Sequence, residues 1–163
     1  MKKIPLTQGK FALVDDEDYE TLMQWKWHID QGYAKRGECI DKTRGARKYR
    51  IVLMHRKIMN TPESMDVDHI DHNKLNNQKA NLRNVTKSQN NMNRKSEEGS
   101  TSKYKGVFWN RGKGRWTAKI GINKRQKYIG SFSNEIEAAK AYNKVALKLF
   151  GSYALINEIS EVA

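Results

Sequence analysis

Four polar residues in one short segment carry the chemistry that this chain offers: Asp68, His69, Asn81 and Asn90, within Asp68–Asn93 (DHIDHNKLNNQKANLRNVTKSQNNMN). The segment has almost no apolar filler, so neither a core nor a flexible linker explains it. Metal-assisted phosphodiester hydrolysis does. That reaction needs a hard, oxygen-liganded ion to polarise the phosphate and stabilise the leaving oxygen. It needs a base near neutrality, and an unperturbed imidazole has a pKa of about 6.5. It also needs a group that fixes the base and its loop. Asp68 and Asn90 offer oxygen ligands, His69 the base and Asn81 the positioning group. The bland alternative is an Asn-rich loop with an incidental histidine.

These residues need a frame. Met65 and Val67 lead into Asp68-His69 as the end of a strand, and Asn73, Asn76 and Asn77 suit a looping connection. Leu82-Arg-Asn-Val85 reads as a returning strand. Thr86 with Gln89 makes a capping box, which predicts a helix over 87–94. The order is strand, loop, strand, helix, with Asn90 on the first helical turn facing Asp68 across the hairpin. His72 forms an HxxH with His69, and an exposed loop residue is the favoured reading over a second metal ligand.

With these residues in hand, the segment resembles the HNH nucleases, which have a ββα-metal (His-Me finger) fold. The matching pieces are Met54-His55-Arg56, Val67-Asp68-His69-Ile70-Asp71, Asn76-Asn77, Asn81-Leu82-Arg83, Thr86 and Asn90, continuing to Asn93. The resemblance implies that Asp68 and Asn90 bind one metal ion, Mg²⁺ or Mn²⁺, that His69 is the general base, and that Asn81 supports its loop. His55-Arg56 would touch the DNA backbone or support the active site, with strand packing as the equal alternative.

Upstream, residues 4–14 look like two short strands around a Thr-Gln-Gly turn. The acidic run Asp15, Asp16, Glu17, Asp18 and Glu20 opens an amphipathic helix through Tyr19, Leu22, Met23 and Trp25. Acidic residues in a first turn complement the helix dipole, so a structural role suffices for them. Trp25, Trp27, Ile29 and Gly32-Tyr33-Ala34 suggest aromatic-packed strands, with His28 on an exposed strand position. Lys42, Arg44, Arg47, Lys48, Arg50, Arg56 and Lys57 make 42–57 basic. Within it, Tyr49, Ile51, Leu53 and His55 alternate with Arg50, Val52, Met54 and Arg56, which predicts a strand through Arg56 with one basic edge. That edge suits a phosphate backbone or ordinary solvation equally.

Residues 95–102 (KSEEGSTS) read as a linker. Beyond it, residues 101–130 carry nine Lys or Arg and no acidic residue, interleaved with Tyr104, Phe108, Trp109, Trp116 and Tyr128. Three strands are predicted at 104–109, 116–122 and 127–132, with Gly112-Lys-Gly and Asn123-Lys as turns. Trp116, Ala118, Ile120 and Ile122 share one face; Thr117, Lys119 and Gly121 share the other. Asn134 and Glu137 cap a helix through Ala138, Ala139, Tyr142, Val145, Ala146 and Leu149, and Gly151 marks its end. The helix covers the apolar sheet face and leaves a basic one, which suits a DNA major groove.

Residues Ser102 to about Asn157 resemble the plant ethylene-response-factor, or APETALA2-type, DNA-binding domain. The carriers are Tyr104-Lys-Gly-Val107, Trp116-Thr-Ala-Lys-Ile120, Tyr128-Ile-Gly-Ser-Phe132, Glu137-Ala-Ala-Lys-Ala-Tyr142 and Gly151-Ser-Tyr-Ala-Leu-Ile-Asn157. The resemblance implies DNA contacts at Lys105, Asn110, Lys119, Gln126 and Tyr128, joined by Arg56 from the nuclease part. Phe108 and Gly121 replace arginines of the plant domain, so its preferred sequence is not implied. The two resemblances together, in this order, are similar to free-standing or intron-borne phage homing endonucleases. The leader of such proteins resembles Pro5-Leu-Thr-Gln-Gly-Lys10 and Val14-Asp-Asp-Glu-Asp18.

Composition agrees with that reading. The 163 residues carry a formal net charge of +13 at a pI of about 9.8, which favours a polyanionic partner through counterion release. A single cysteine, Cys39, excludes an intrachain disulfide framework and any multi-cysteine zinc site. No signal peptide or membrane-crossing stretch fits, so a cytoplasmic location is expected, that of the bacterial host if phage-encoded. The expected fold is α+β: a ββα-metal module (51–94) after a β-rich region (1–50), then the linker (95–102) and a three-stranded antiparallel sheet on one helix (103–158). The expected function is site-selective, metal-dependent DNA cleavage by a monomer or weak dimer, acting on double-stranded DNA without a small-molecule cofactor. A catalytically silent DNA-binding regulator is the alternative, and an RNA-directed protein a third.

Overall fold

The computed structural model describes residues 1–41, 47–93, 99–122 and 125–159. Lys42 and Arg44, the Asn123-Lys turn, residue 94 of the predicted helix and 95–98 of the predicted linker lie outside them. Among the described residues the architecture is mixed α and β, with four small sheets. The chain divides into two compact units, Met1–Lys87 and Ser88–Ala163.

In the first unit, β1 (Lys2–Pro5) pairs antiparallel with β2 (Phe11–Val14) around a single 3-10 turn at Thr7–Gly9. Helix α1 (Asp16–Met23) follows, and then the sheet β3 (His28–Asp30), β4 (Tyr33–Asp41) and β5 (Lys48–Leu53), in that order. Ile4, Leu6, Ala12, Val14, Leu22, Trp27, Ala34 and Met54 form one buried cluster under these elements. β4 and β5 pair from Lys35 with Leu53 to Asp41 with Lys48.

The basic strand ends three residues sooner than its alternation predicts. It stops at Leu53, and Met54–Ile58 is a short helix, α2. Met54 and His55 are consecutive and both buried. A strand sends neighbouring side chains to opposite faces and could not bury both in one core, whereas a helical turn can. His55 and Arg56 are therefore helical residues.

β6 (Asp66–His69) and β7 (Leu82–Val85) then form a hairpin in the register Asp66–Val85, Val67–Asn84, Asp68–Arg83 and His69–Leu82. Helix α3 (Lys87–Met92) follows two residues later. The strand, loop, strand, helix order of the sequence is thus present, and the division between the units falls after the first residue of α3.

The second unit is built on β8 (Val107–Asn110), β9 (Arg115–Ile122) and β10 (Arg125–Phe132), an antiparallel meander with β9 central. Helix α4 (Glu135–Phe150) packs Ala138, Ala139, Tyr142 and Ala146 against Val107, Ala118 and Ile120. Asn134 caps it, its side-chain oxygen accepting from the Ile136 N–H at 2.7 Å. Gly151 ends it at φ 53°. The small alanines bring the helix axis close to the sheet. Gly106 is needed for the same reason: at φ +74°, an added Cβ would lie 2.2 Å from the Tyr142 ring and 2.5 Å from the Lys119 carbonyl oxygen.

Candidate active site and candidate nucleic-acid face

The hairpin of β6 and β7 brings three of the four candidate residues onto adjacent positions. Asp68 and His69 end β6, both buried. Asn81 lies one residue before β7. Asp68 faces Arg83 across the strands, and the guanidinium donates to Asp68 Oδ2 from Nε at 2.9 Å and from Nη2 at 2.7 Å. Both contacts fall on one oxygen and so orient the carboxylate.

Asn81 is the clamp of the loop that follows His69. Its amide nitrogen donates to Asp71 Oδ1 at 2.8 Å and to the Asn76 carbonyl at 2.9 Å, and its side-chain oxygen accepts from the Asp71 N–H at 3.0 Å. Its own carbonyl accepts from the Ile70 N–H at 3.0 Å. Asp71 in turn accepts from the Asn73 N–H and the Asn76 side chain, each at 2.8 Å. Burial pushes the Asp71 carboxyl up, but the bonds from Asn76, Asn73 and Asn81 outweigh it and leave the group below its ordinary value.

The loop is also fastened from the N-terminal strands. The Leu13 N–H donates to the Leu75 carbonyl and the Asn77 N–H to the Leu13 carbonyl, each at 2.8 Å, and Leu75 packs on the N-terminal core. Asp15 accepts from the Lys79 N–H at 2.8 Å and from Gln78 Nε2 at 3.2 Å. Lys79 pairs with Glu17 and, at 3.3 Å, with Asp18. The acidic run therefore holds the far side of the loop, beyond its expected service to the helix dipole.

His69 sits in an aromatic and polar pocket of its own unit. Its ring meets that of His55 edge-on at 5.1 Å between centroids, and Tyr33 lies 5.2 Å from His55 and 6.1 Å from His69. His69 Nε2 is 3.4 Å from Asn77 Oδ1. The Asn77 amide nitrogen already donates to the Leu75 carbonyl at 3.2 Å, which turns its oxygen toward the ring. In the tautomer with its proton on Nε2, the ring donates to that oxygen. Burial is the largest influence on His69 and lowers its pKa; Asn77 and the charges of Asp71 and Asp68 draw it part of the way back. A neutral imidazole at neutral pH is the state a general base requires. His55 is pushed further, to about 3, by burial and then by His69 and Arg56. Its Nδ1 is buried without a hydrogen-bond partner among the described residues, as suits a neutral ring.

Asn77 was read from the sequence as loop structure alone. It is 0 % exposed, and its contact with His69 makes it part of the site. Sequence spacing carries no signal for this role, because the contact depends on how the loop folds back toward β2. Asn84 accepts from Thr61 Oγ1 at 2.8 Å and is structural. The Arg56 guanidinium donates to the carbonyls of Met65 (2.7 Å), Pro62 (2.9 Å) and Thr61 (3.4 Å), fixing the segment before β6.

The chain matches the family model "HNH endonuclease" over residues 60–92, which contain the whole hairpin and α3. It is 32% identical over 152 residues to an uncharacterized HNH endonuclease of Acanthamoeba polyphaga mimivirus, covering 93% of this chain and 77% of that one. The chain belongs to the HNH endonuclease family. The endonuclease is also similar over a shorter stretch to APETALA2-like protein 2 of rice (Oryza sativa subsp. indica; 39% identical over 59 residues, 35% of this chain and 13% of that one). An AP2-like ethylene-responsive transcription factor of Arabidopsis thaliana is 43% identical over 58 residues, 34% of this chain and 10% of that one. The endonuclease spans only about a tenth of the length of these plant proteins. No solved structure matches it.

In the endonuclease's second unit, the strand register puts several candidate contacts on the sheet face opposite α4. Tyr128 pairs with Lys119, Gln126 with Gly121 and Asn110 with Arg115, so Asn110, Lys119, Gln126 and Tyr128 share that face. Lys119 Nζ lies 5.0 Å over the Phe108 ring, and the exposed Tyr128 donates to Ser131 Oγ at 3.0 Å. A register shift between Tyr128 and Gly130 re-aims this end of β10. Lys105 lies elsewhere, ahead of β8. Its Nζ donates to the carbonyls of Met92 at 2.5 Å and Asn91 at 3.4 Å, and burial lowers it to about 8. Among the described residues, no helix is long and apolar enough to cross a membrane.

The donor chemistry suits a hard divalent cation. Asp68 offers a carboxylate oriented by Arg83, and Asn90 a half-buried carboxamide on α3. Among the described residues no group of three His, Cys, Asp or Glu side chains gathers into a closed protein shell.

Proposed function

We propose that this endonuclease is a site-selective, homing-type DNA nuclease of the kind found in phages. Asp68 and Asn90 would hold one Mg²⁺ or Mn²⁺ ion, and residues 103–158 would form an APETALA2-type domain that grips the duplex. The reading is carried by one observation: the Asn81 clamp holds the loop after a buried, neutral His69, next to an oriented Asp68 carboxylate. His69 takes the proton from the attacking water. Asn77 holds the ring, and Asn81 and Asp71 hold the loop on which water and phosphate must align. When bound, the ion supplies Lewis-acid stabilisation of the charge that develops on phosphate and the leaving 3′-oxygen. Asn110, Lys119, Gln126 and Tyr128 would meet the duplex from one sheet face, and Arg56 would contribute through the segment it fixes. One site per chain cuts one strand per visit by a monomer or weak dimer.

The test is cleavage of plasmid and phage DNA with Mg²⁺, Mn²⁺ or EDTA by wild type and His69→Ala. We expect the variant to lose about 10²–10⁴ in rate with DNA binding intact. Cleavage at the wild-type rate by His69→Ala, or undiminished in EDTA, overturns the reading.

A further inference from the structure

We propose that Lys105 is a positioning residue of the nuclease site, its ammonium seated on the C-terminal carbonyls of α3 so as to fix the helix that carries Asn90. The inference rests on the proposed role of Asn90 and departs from the DNA contact that the resemblance assigns to Lys105.

α3 has six residues, too few to hold a helix by its own hydrogen bonds. The last carbonyls of any helix lack partners within it. Here each of the final three is met by a group from beyond the helix. The Asn90 carbonyl accepts from the Asn93 N–H at 3.1 Å and the Met92 carbonyl from the Leu155 N–H at 3.3 Å. Lys105 Nζ covers both Asn91 and Met92. A cation at this end also complements the helix dipole.

Lys105 is itself held. Its N–H donates to Asn157 Oδ1 at 2.7 Å, and its carbonyl accepts from Asn157 Nδ2 at 3.2 Å. The Asn157 main chain is in turn paired with both ends of the Asn143 carboxamide, at 2.8 and 2.9 Å. Asn143 lies on α4. A continuous run of hydrogen bonds thus leads from α4 through Asn157 and Lys105 to the end of α3. A lysine reserved for phosphate would keep its ammonium in solvent. This one is half-buried and spends it on two carbonyls.

The test uses the full chain as Lys105→Met, Lys105→Arg and Asn90→Ala. Three quantities are measured: Mn²⁺ affinity without DNA, hydrogen exchange at the amides of residues 90–93, and duplex binding in EDTA. Lys105→Met should weaken Mn²⁺ by about 10–100-fold, the usual cost of losing support behind a ligand. It should speed exchange at 90–93 relative to β9, and leave EDTA binding within about threefold. Lys105→Arg should restore most of the Mn²⁺ affinity, since a second cationic donor can reach the same carbonyls. Unchanged Mn²⁺ affinity and exchange with weakened duplex binding would overturn the proposal in favour of DNA contact. If Asn90→Ala leaves Mn²⁺ affinity unchanged, the reading of Asn90 falls and this inference with it. If Asn90→Ala weakens Mn²⁺ and Lys105→Met does not, only the inference falls. Should Lys105→Met fail to fold, exchange in Asn157→Asp decides, because loss of the Asn157 donor to the Lys105 carbonyl should also loosen 90–93. Protection equal to wild type there would overturn the proposal.

Discussion

The loop between β6 and β7 and the sheet of β8, β9 and β10 both present polar groups from antiparallel strands, by opposite means. The sheet places Asn110, Lys119, Gln126 and Tyr128 through register alone, with the backbone ladder carrying the order. The loop has no ladder. Its order comes from side chains spent on backbone: Asn81, Asp71, Asn73 and Asn77 each hold a main-chain group. Sheet-face residues should therefore be replaceable one by one, with graded effects. Loop residues should fail as a set.

The sharpest way to break this contrast is Asn81→Ala. It strands the Asp71 N–H and the Asn76 carbonyl, and a misplacement of about 1 Å can cost ~10²-fold in rate. We expect a loss of that order in single-turnover cleavage, with EDTA duplex binding unchanged. Gly106→Ala tests the sheet's backbone instead of its face. With Tyr142 in the way and a left-handed φ, it should destabilise the second unit by about 3 kcal/mol or more in urea unfolding.

A smaller effect is set by pH. His55 titrates near 3 in the fold and near 6.5 when unfolded. Between those values the unfolded chain binds more protons, so stability is lost as pH falls from about 6.5, by at most ~1.4 kcal/mol per unit for this group. Urea unfolding from pH 7.5 to 5 should show that slope, and His55→Leu should flatten it. The smallest effect belongs to the sheet face. Lys119→Ala should reduce the salt dependence of duplex binding by about one counterion, with cleavage at saturating DNA unchanged. A loss there as large as that of Asn81→Ala would end the contrast.

The two regions were also unequally legible. Strand alternation, the Asn134 cap and Gly151 announced the second unit nearly element by element, because local periodicity determines them. Asp68-His69 and Asn81 stood out through residue type, and their loop and strands fell where the spacing implied. The strand through Arg56 failed because α2 depends on burial of Met54 and His55 together, a tertiary fact. The contacts of Asn77 and Lys105 carry no sequence signal for the same reason. Their partners, His69 and the α3 carbonyls, meet them only through the folded chain, and one asparagine or lysine reads like another in a row of letters.

The bridge from β2 to the loop has a consequence for anyone who would transplant this nuclease. A cassette cut at residue 51 contains the whole family match, yet it omits Leu13, which pairs with Leu75 and Asn77. It also omits Asp15, which grips Lys79. The smallest portable cutter therefore begins at the first strand, and grafts that trim the leader should be expected to arrive blunt.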